Sequence, residues 1–414
     1  MLDFIDLILK RVFSSIVTRG DLTIISPAGT RLRFGDNSGN PVVVRLADWR
    51  AVLAMVTDPD MRLGELYMDE RLTVEQGQLV DFLSLCLREG QNSTHSRVTQ
   101  FIDRLRELLL NVQLPNWASR SRRNVAHHYD LSGKLYDLFL DADRQYSCAY
   151  FETPDSTLEE AQRAKKAHIL RKLRLEPGHR VLDIGCGWGG LGVSLAEAGA
   201  GAVLGVTLSE EQLAFARGRK TQATTPPVFM LQDYRAVEGR FDRIVSVGMF
   251  EHVGRPSFGT YFRTCKRLLE DDGVMLLHTI GCAAGKGFTT PWINKYIFPG
   301  GYIPALSEIS AAIESAGLLI SDVEVLHTHY ALTLREWRNR FMARRDEAAA
   351  LYDERFCRMW EFYLSVAEAA FLWEDLVVFQ IQIVHRSRSV PMTRDYIYRA
   401  PSLPLPVSAG ESQC

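Results

Sequence analysis

The sequence lacks the features of secreted, membrane-spanning or nucleic-acid-binding proteins. Its seven cysteines include no closely spaced pair of the kind that holds zinc, and their odd number argues for a reducing compartment. No run approaches the roughly 18 charge-free apolar residues of a membrane helix, and charges interrupt the apolar patches of residues 1–20, unlike a signal peptide. The formal net charge of −2 does not attract nucleic acid. We therefore expect a cytoplasmic protein that binds neither metal nor nucleic acid, with any membrane contact peripheral.

The chain is long enough for more than one domain. At roughly 150 residues per domain, its 414 residues predict two or three. Residues 1–90 combine short alternating runs, turn signals and helical patterns, which predicts a small α+β domain. Residues 91–125 contain a helical apolar stripe and a cluster of arginines, typical of a linker with an amphipathic helix. The proline-containing segment 389–414 is predicted to be a flexible tail.

The long segment 126–388 alternates helical stretches with short apolar strands. The strands are aliphatic or β-branched along their whole length, which is typical of a parallel sheet buried on both faces. We therefore predict a doubly wound, Rossmann-like α/β domain. Two later strands are predicted at 320–326 and 377–384, on either side of a helical insertion at about 334–371.

A glycine-rich turn is the sharpest local signal. Residues 181–190 predict a strand that ends in closely spaced glycines and opens a helix, with Asp183 just before Gly185, Gly187 and Gly189. Glycine permits positive φ and lets the backbone approach a ligand closely. This pattern alone fits either a dinucleotide or S-adenosylmethionine.

The acidic residues around this turn separate the two cofactors. A dinucleotide site places an acid at the end of the next strand, and that position here is Val206-Thr207, without a carboxylate. Asp183 can instead orient the cationic amino acid part of S-adenosylmethionine. Asp233, followed by Tyr234, comes after the third strand, where an acid can accept a hydrogen bond from the adenine amino group. We therefore predict an S-adenosylmethionine site.

Five segments, in order along the chain, resemble the cyclopropane-fatty-acyl-phospholipid synthases. They are residues 146–151, 181–190, 249–254, 277–281 and 292–300. The likeness runs from about residue 120 to 385, and more loosely through the N-terminal domain. The mycolic acid cyclopropane synthases share most of these motifs but usually lack such an N-terminal domain, so the longer chain favours the phospholipid branch.

The resemblance implies an activity and a set of site residues. Enzymes of this family add a methylene group from S-adenosylmethionine across a cis double bond of an unsaturated phospholipid acyl chain, with bound bicarbonate as the base. The residues expected at the donor site are Tyr146, Ser147, Asp183, Gly185, Gly187, Gly189, Thr207, Gln212, Asp233 and Tyr234. Those that match the bicarbonate cage are Glu251, His278, Tyr330, Cys148 and the backbone of Ile280.

The residue types of the expected cage suit a base held in an apolar pocket. His278 and Tyr330 can donate hydrogen bonds to an anion, and Glu251 can accept a hydrogen bond or a proton from the bicarbonate hydroxyl. Plain structural interpretations also exist: a hydrogen-bonded core histidine, a helix-capping glutamate and, for Cys148, a small buried residue. We rank Glu251 and His278 first and Cys148 last.

The resemblance also implies partners. We expect a phospholipid bilayer with unsaturated chains, peripheral association with the inner face of the membrane, and a homodimer. Domain 1–90 is expected to handle lipid or form the dimer, with a structural cap as the alternative. The arginines between residues 335 and 345 offer a headgroup contact or a solvated helix face. Three rivals stay open: methyl branching on the same scaffold, a small-molecule C- or N-methyltransferase, and a lipid-binding protein without catalysis.

Overall fold

The computed structural model describes residues 2–88, 132–285 and 289–398. These residues form two compact units. The first contains residues 2–88, Thr289–Pro299 and Tyr330–Leu376, and the second contains residues 132–285, Gly300–His329 and 377–398. No helix within the described stretches is long and apolar enough to cross a membrane. The predicted linker 91–125 and residues 399–414 of the predicted tail 389–414 lie outside the described residues. Residues 389–398 of that tail are described, and Ile397 among them is fully buried.

Helices and strands follow one another along the described chain. The helices are α1 (Leu2–Ile16), α2 (Trp49–Thr57), α3 (Pro59–Met68), α4 (Leu79–Leu87), α5 (Gly133–Tyr136), α6 (Leu158–Lys172), α7 (Gly190–Glu197), α8 (Glu210–Arg217), α9 (Phe258–Leu268), α10 (Pro291–Tyr296), α11 (Leu306–Ser315), α12 (His329–Ala343), α13 (Arg345–Leu351), α14 (Glu354–Trp373) and α15 (Asp395–Tyr398). The strands are β1 (Asp21–Ile25), β2 (Arg31–Phe34), β3 (Pro41–Leu46), β4 (Leu72–Gln76), β5 (Arg180–Ile184), β6 (Ala202–Thr207), β7 (Val228–Leu231), β8 (Phe241–Val247), β9 (Leu269–Cys282), β10 (Leu319–Leu326) and β11 (Leu376–Val384).

The first unit contains a four-stranded sheet in the order β2-β1-β3-β4. β1 pairs parallel to β3, and the other neighbours pair antiparallel. α1 buries Phe13, whose ring lies 5.6 Å from that of Phe34 in β2. α2 begins where the Asp48 carboxylate accepts a hydrogen bond from the Ala51 N–H at 2.9 Å, which satisfies a free donor of its first turn. The predicted small α+β domain is confirmed.

Helices α12 (from Tyr330 onward), α13 and α14 also belong to the first unit. α14 packs against α3 and α4. α3 approaches α10 so closely at Gly64 that a Cβ there would lie 2.4 Å from Nε1 of Trp292. The domain bounds 1–90 and 126–388 that were drawn from the sequence are contiguous, whereas the compact units are not. The domain bounds drawn from the sequence therefore stay a prediction.

Acidic residues of the first unit form ion pairs with the arginines between residues 335 and 345. Glu368 accepts hydrogen bonds from Arg335 and Arg338, both at 2.9 Å. The other pairs join Arg340 to Glu336, Arg344 to Glu347 and Arg345 to Glu354. Because each guanidinium has an acidic partner, this stretch does not present five free cations to an anionic surface.

The second unit contains a seven-stranded sheet in the order β10-β11-β9-β8-β5-β6-β7. The pairs β5–β6, β6–β7, β5–β8 and β8–β9 are parallel, and β10 pairs antiparallel to β11. The chain winds from β5 outward to β7, then returns past β5 to form β8 and β9. Open sheets of this kind bind ligands outside the carboxyl ends of the strands, where the winding reverses. The predicted doubly wound α/β fold is confirmed.

Apolar side chains on both faces explain the continuous hydrophobic runs of this sheet. Val181 of β5 lies in one core with Ile169 of α6. Its neighbour Leu182 lies in another core with Phe262 of α9. Successive strand residues point to opposite faces, so a strand covered by helices on both sides has no solvated face that would favour polar residues.

A substitution at Gly281 tests how tightly the end of β9 packs. A Cβ at this glycine would lie 2.1 Å from the ring of Phe379, which is 2% exposed on β11. We expect Gly281→Ala to lower the free energy of unfolding by about 1–3 kcal/mol, because a packed core resists added volume. Urea denaturation measures this. Gly218→Ala, where the nearest atom would lie 3.4 Å away, is the control, and equal effects at both positions would contradict the packing argument.

Candidate active site

A cavity opens where the strands of the second unit end. It is lined by residues that follow β5, β6, β7 and β8, and by residues 144–147. Nine of the ten predicted donor-site residues line it: Tyr146, Ser147, Asp183, Gly185, Gly187, Thr207, Gln212, Asp233 and Tyr234. The tenth, Gly189, is the residue immediately before α7. The structure therefore brings together residues that are up to 88 positions apart in the sequence (234 − 146).

The glycine turn after β5 requires a backbone that other residues adopt only with strain. Gly185, Gly187 and Gly189 have φ values of 81°, 52° and 81°. The N–H groups of Gly185 and Cys186 both donate to the carbonyl oxygen of Val206, at 2.9 and 3.0 Å. These bonds hold the turn against the end of β6, and positive φ explains why glycine occupies the three positions.

Asp183 presents a buried carboxylate at the cavity. The residue is 1% exposed, and its Oδ2 has no hydrogen-bond partner in the described part of the chain. Burial raises the pKa of this carboxyl to about 7. A buried charged oxygen without a partner is costly, so a cationic ligand group would stabilise it. The arrangement fits the ammonium of the amino acid part of S-adenosylmethionine.

The end of β6 gives the cavity a neutral polar wall. The Thr207 hydroxyl donates to Oε1 of Gln212 at 3.0 Å, and it accepts from the N–H of Ser209 at 3.2 Å. The Ser209 hydroxyl in turn accepts from the N–H of Gln212 and caps α8. Hydroxyl and amide groups thus occupy the position where a dinucleotide site would carry an acid.

Asp233 has a partner that the sequence reasoning did not identify. Both of its oxygens accept from the Arg235 guanidinium, at 2.8 and 2.6 Å. The same carboxylate accepts from the N–H of Arg235 at 3.0 Å. This pair fixes the orientation of the carboxylate at the cavity. Its contact with an adenine amino group stays a prediction.

Glu251 and Ile280 are in direct contact. Glu251 lies in a 3-10 helix after β8, and its Oε1 accepts from the N–H of Ile280 on β9 at 2.6 Å. Its Oε2 is shielded from solvent and has no hydrogen-bond partner among the described residues. Burial raises the pKa of this carboxyl to about 6. The Ile280 N–H, predicted to contact bicarbonate, donates to Glu251 in this structure.

His278 precedes Ile280 by two residues on β9 and is 2% exposed. Its Nδ1 lies 3.1 Å from Nε2 of Gln380. Because an amide nitrogen only donates, Nδ1 accepts with the Gln380 amide oriented in this way, and the ring proton is then assigned to Nε2. Burial and the nearby Lys165 hold the pKa of His278 well below its usual value. His278 is therefore a neutral imidazole with an Nε2–H donor.

The remaining two cage candidates are placed differently. Cys148 is 1% exposed, and its Sγ lies 3.3 Å from the carbonyl oxygen of Ala149. Tyr330 belongs to the first unit, where its ring packs against those of Trp337 and Phe371 at 5.9 and 4.7 Å between centroids. The second unit thus joins Glu251 directly to the strand of His278, and the structure assigns Tyr330 to the other unit.

Sequence reasoning missed a group of buried polar side chains behind the cavity. Gln162 and Lys165 of α6 are each 1% exposed, and Lys165 lines the cavity. Lys172, on the same helix, is also fully buried. The sequence offered one signal: polar residues recur every three to seven positions on a helix with few apolar residues, so some had to face inward.

Solved structures with the same architecture include two cyclopropane synthases. The cyclopropane synthase MmaA2 from Mycobacterium tuberculosis aligns with a TM-score of 0.59 at 34% identity, covering 63% of this chain and 97% of that one. The mycolic acid cyclopropane synthase CmaA1, complexed with SAH and CTAB, aligns with a TM-score of 0.60 at 35% identity, with the same coverage. The fold and the cavity therefore define an S-adenosylmethionine-dependent methyltransferase.

Sequence comparisons narrow this class to a family. The family model described as mycolic acid cyclopropane synthetase matches residues 117–381. The cyclopropane-fatty-acyl-phospholipid synthase of Escherichia coli (strain K12) is 39% identical over 360 residues, 86% of this chain and 91% of that protein. The tuberculostearic acid methyltransferase UfaA1 of Mycobacterium tuberculosis is 41% identical over 289 residues, 65% of this chain and 67% of that protein. The chain belongs to the mycolic acid cyclopropane synthetase family, which confirms the resemblance found in the sequence.

Asp183→Asn should change the stability of the protein in a pH-dependent manner. A carboxyl whose folded pKa is raised above its unfolded value contributes stability at low pH and loses it as pH rises through the folded pKa. The wild type therefore carries an unfavourable buried charge above pH 7. We expect Asp183→Asn to be more stable at pH 8, by roughly 2–4 kcal/mol at most, with a smaller gain at pH 5. Urea denaturation across this range, without ligand, measures the difference, and a gain independent of pH would contradict it.

Proposed function

We propose that this enzyme transfers a methylene group from S-adenosylmethionine to a cis double bond of an unsaturated phospholipid acyl chain, giving a cyclopropane ring. One observation carries the proposal most directly. A buried carboxylate, Glu251, with a raised pKa lies against the strand that presents a neutral imidazole, His278, in the unit that holds the donor cavity. Likeness over most of the chain to the Escherichia coli synthase supports the phospholipid substrate.

The reaction needs a base because an isolated alkene has no proton to lose before it reacts. When the alkene attacks the sulfonium methyl, positive charge develops on the acyl chain. The ring closes only when a proton leaves the newly delivered methyl group. Glu251, with a pKa of about 6, is mostly ionised at neutral pH and can accept a proton or a hydrogen bond. The N–H of Ile280 fixes one oxygen and leaves the other available.

Bicarbonate is proposed as the base that receives this proton. Glu251 would accept a hydrogen bond from its hydroxyl through Oε2, and His278 would donate from Nε2. The opposite roles of these two groups fit an anion that carries both an O–H donor and oxygen acceptors. Cys148 and Tyr330 stay predicted members of the cage, with Cys148 acting through packing. The donation from Ile280 to Glu251 implies that this N–H supports the anion by holding the carboxylate.

The cellular setting is proposed with the reaction. The substrate class implies peripheral association with a phospholipid bilayer at the inner face of the membrane. The first unit, with its own sheet and helices, is proposed to handle the lipid or to form a homodimer. Since the arginines between residues 335 and 345 are matched by carboxylates, we do not assign the membrane contact to them.

A methyl-branched product is the second candidate, because UfaA1 is named for tuberculostearic acid. Expression in a host that lacks cyclopropane lipids distinguishes the two. Mass spectrometry should show a gain of one CH2 group per modified chain, and NMR should show the upfield methylene protons of a cyclopropane ring. Branched-chain methyl signals without ring signals would contradict the proposal and support the second candidate.

Glu251→Gln tests the proposed role of this carboxylate beside the bicarbonate base. The amide keeps the shape of the side chain but cannot accept a proton, so we expect turnover to fall by about 10²–10⁴-fold, the usual contribution of a positioned acid–base group. Affinity for S-adenosylmethionine should stay within a few-fold of wild type, because Glu251 does not line the donor cavity. Calorimetric titration and turnover on unsaturated phospholipid vesicles measure the two quantities.

A matched variant controls for the loss of a carboxylate. Glu238 is exposed, and Glu238→Gln should retain full activity. If Glu251→Gln also stays near full activity, the assigned cage is wrong. A loss of donor binding in Glu251→Gln would instead place this residue in the donor site.

A further inference from the structure

The segment 145–147 is fixed to α6 by side chains that the proposed mechanism does not use. Nε2 of Gln162 donates to the carbonyl oxygens of Gln145 and Ser147, at 3.2 and 3.0 Å. All these groups belong to the second unit. The bonds hold the backbone on both sides of Tyr146, so the position of this cavity wall depends on α6.

Among the described residues of α6, Lys165 is the only one that makes a charged contact with this segment. Its Nζ donates to Oε1 of Gln145 at 2.9 Å and to Oγ of Ser147 at 2.7 Å. The side chain is 1% exposed and lines the donor cavity. A buried ammonium is costly unless it is hydrogen-bonded, and burial lowers the pKa of Lys165 to about 8, with Asp141 opposing this shift.

The direction of these hydrogen bonds fixes the proton of Ser147. An ammonium group only donates, so the Ser147 oxygen accepts from Lys165 and its own hydrogen must point elsewhere. Within the described residues the structure gives this hydroxyl no acceptor. Since Ser147 lines the cavity, its O–H is available to donate to a ligand.

The side chain of Gln145 is oriented by the same lysine. Its Oε1 accepts from Lys165, which leaves Nε2 to donate to Oδ2 of Asp143 at 3.0 Å. Asp143 also accepts from Lys166 and Arg219, both at 2.6 Å. The hydrogen-bonded side chains of Asp143, Gln145 and Lys165 therefore each have a fixed donor or acceptor role, and so does the hydroxyl of Ser147.

We propose that Lys165 is a positioning residue that directs the Ser147 hydroxyl to donate a hydrogen bond to the carboxylate of S-adenosylmethionine. Asp183, whose Oδ2 has no hydrogen-bond partner among the described residues, lines the same cavity, and in this proposal its carboxylate accepts from the ammonium group. The cavity thus offers a donor and an acceptor that match the two charged groups of an amino acid. This inference deepens the proposed function and rests only on its use of S-adenosylmethionine.

The test compares S-adenosylmethionine with its decarboxylated analogue by calorimetric titration. Wild type should bind the analogue about 10- to 100-fold more weakly, which corresponds to a lost hydrogen bond to a charged group. Lys165→Met and Ser147→Ala should each weaken binding of the intact donor by a similar factor while binding the analogue unchanged. The double variant should lose no more than either single variant, because both changes remove one interaction. In both single variants the KM for S-adenosylmethionine should rise, and the turnover number at saturating donor should change much less than this KM.

Lys172→Met is the matched control for removal of a buried lysine. Lys172 is fully buried on the same helix, pairs with Glu324, and does not line the cavity. This variant should lose stability and keep wild-type donor affinity and the wild-type preference for the carboxylate.

Three outcomes would overturn the inference. Lys165→Met could bind the intact donor as wild type does, or it could lose affinity equally for the donor and the analogue, as a merely structural role predicts. Ser147→Ala could retain the carboxylate preference, and this result counts even if Lys165→Met fails to fold. The proposed function has a separate test. It is wrong if the wild-type enzyme binds the donor but makes no cyclopropane lipid.

Discussion

The parallel pairing of β5 with both β6 and β8 is the constraint on which the site depends. It places the ends of three strands at one edge of the sheet, next to the point where the winding reverses. Asp183, Thr207 and Gly248 lie at or just after these ends, and all three line the cavity. Continuing the pairing to β9 adds His278, which lies opposite Val247. The donor cavity and the strand that carries His278 therefore follow from one set of backbone hydrogen bonds.

This arrangement keeps charges that a purely structural core would exclude. Asp183 and Glu251 each retain a buried oxygen without a hydrogen-bond partner in the described chain, and burial raises both pKa values. Such groups destabilise the fold, and the surrounding apolar cores must offset that cost. Lys165 shows the contrasting solution, because both of its hydrogen bonds go to side chains of the cavity wall. Lys165 therefore fixes the cavity wall, whereas Asp183 and Glu251 keep oxygens that a bound ligand would satisfy.

Local patterns predicted much of this structure and failed where contacts are non-local. The strands, the glycine turn, Asp183 and Asp233 could be identified because each sits at a strand end or turn with its own sequence signal. Tyr146, Ser147, Thr207 and Gln212 were expected only from the family resemblance. Lys165 and Gln380 carry no such signal, since their roles depend on side chains 18 and 102 positions away. Residues 334–371 were read as a helical insertion into the α/β domain, and only tertiary packing assigns them to the first unit.

The protonation states of Glu251 and His278 argue against direct proton transfer to the histidine and are compatible with the proposed bicarbonate. A buried imidazole whose pKa is held far below its usual value is a poor proton acceptor at neutral pH. Its Nε2–H can instead hold an oxygen anion, while the neighbouring carboxylate repels any anion that brings no proton of its own. A carboxylate and a neutral donor of this kind therefore suit the proposed bicarbonate, which both accepts and donates hydrogen bonds. Two cationic groups at these positions would bind anions more tightly, but they would also lower the basicity on which the reaction depends.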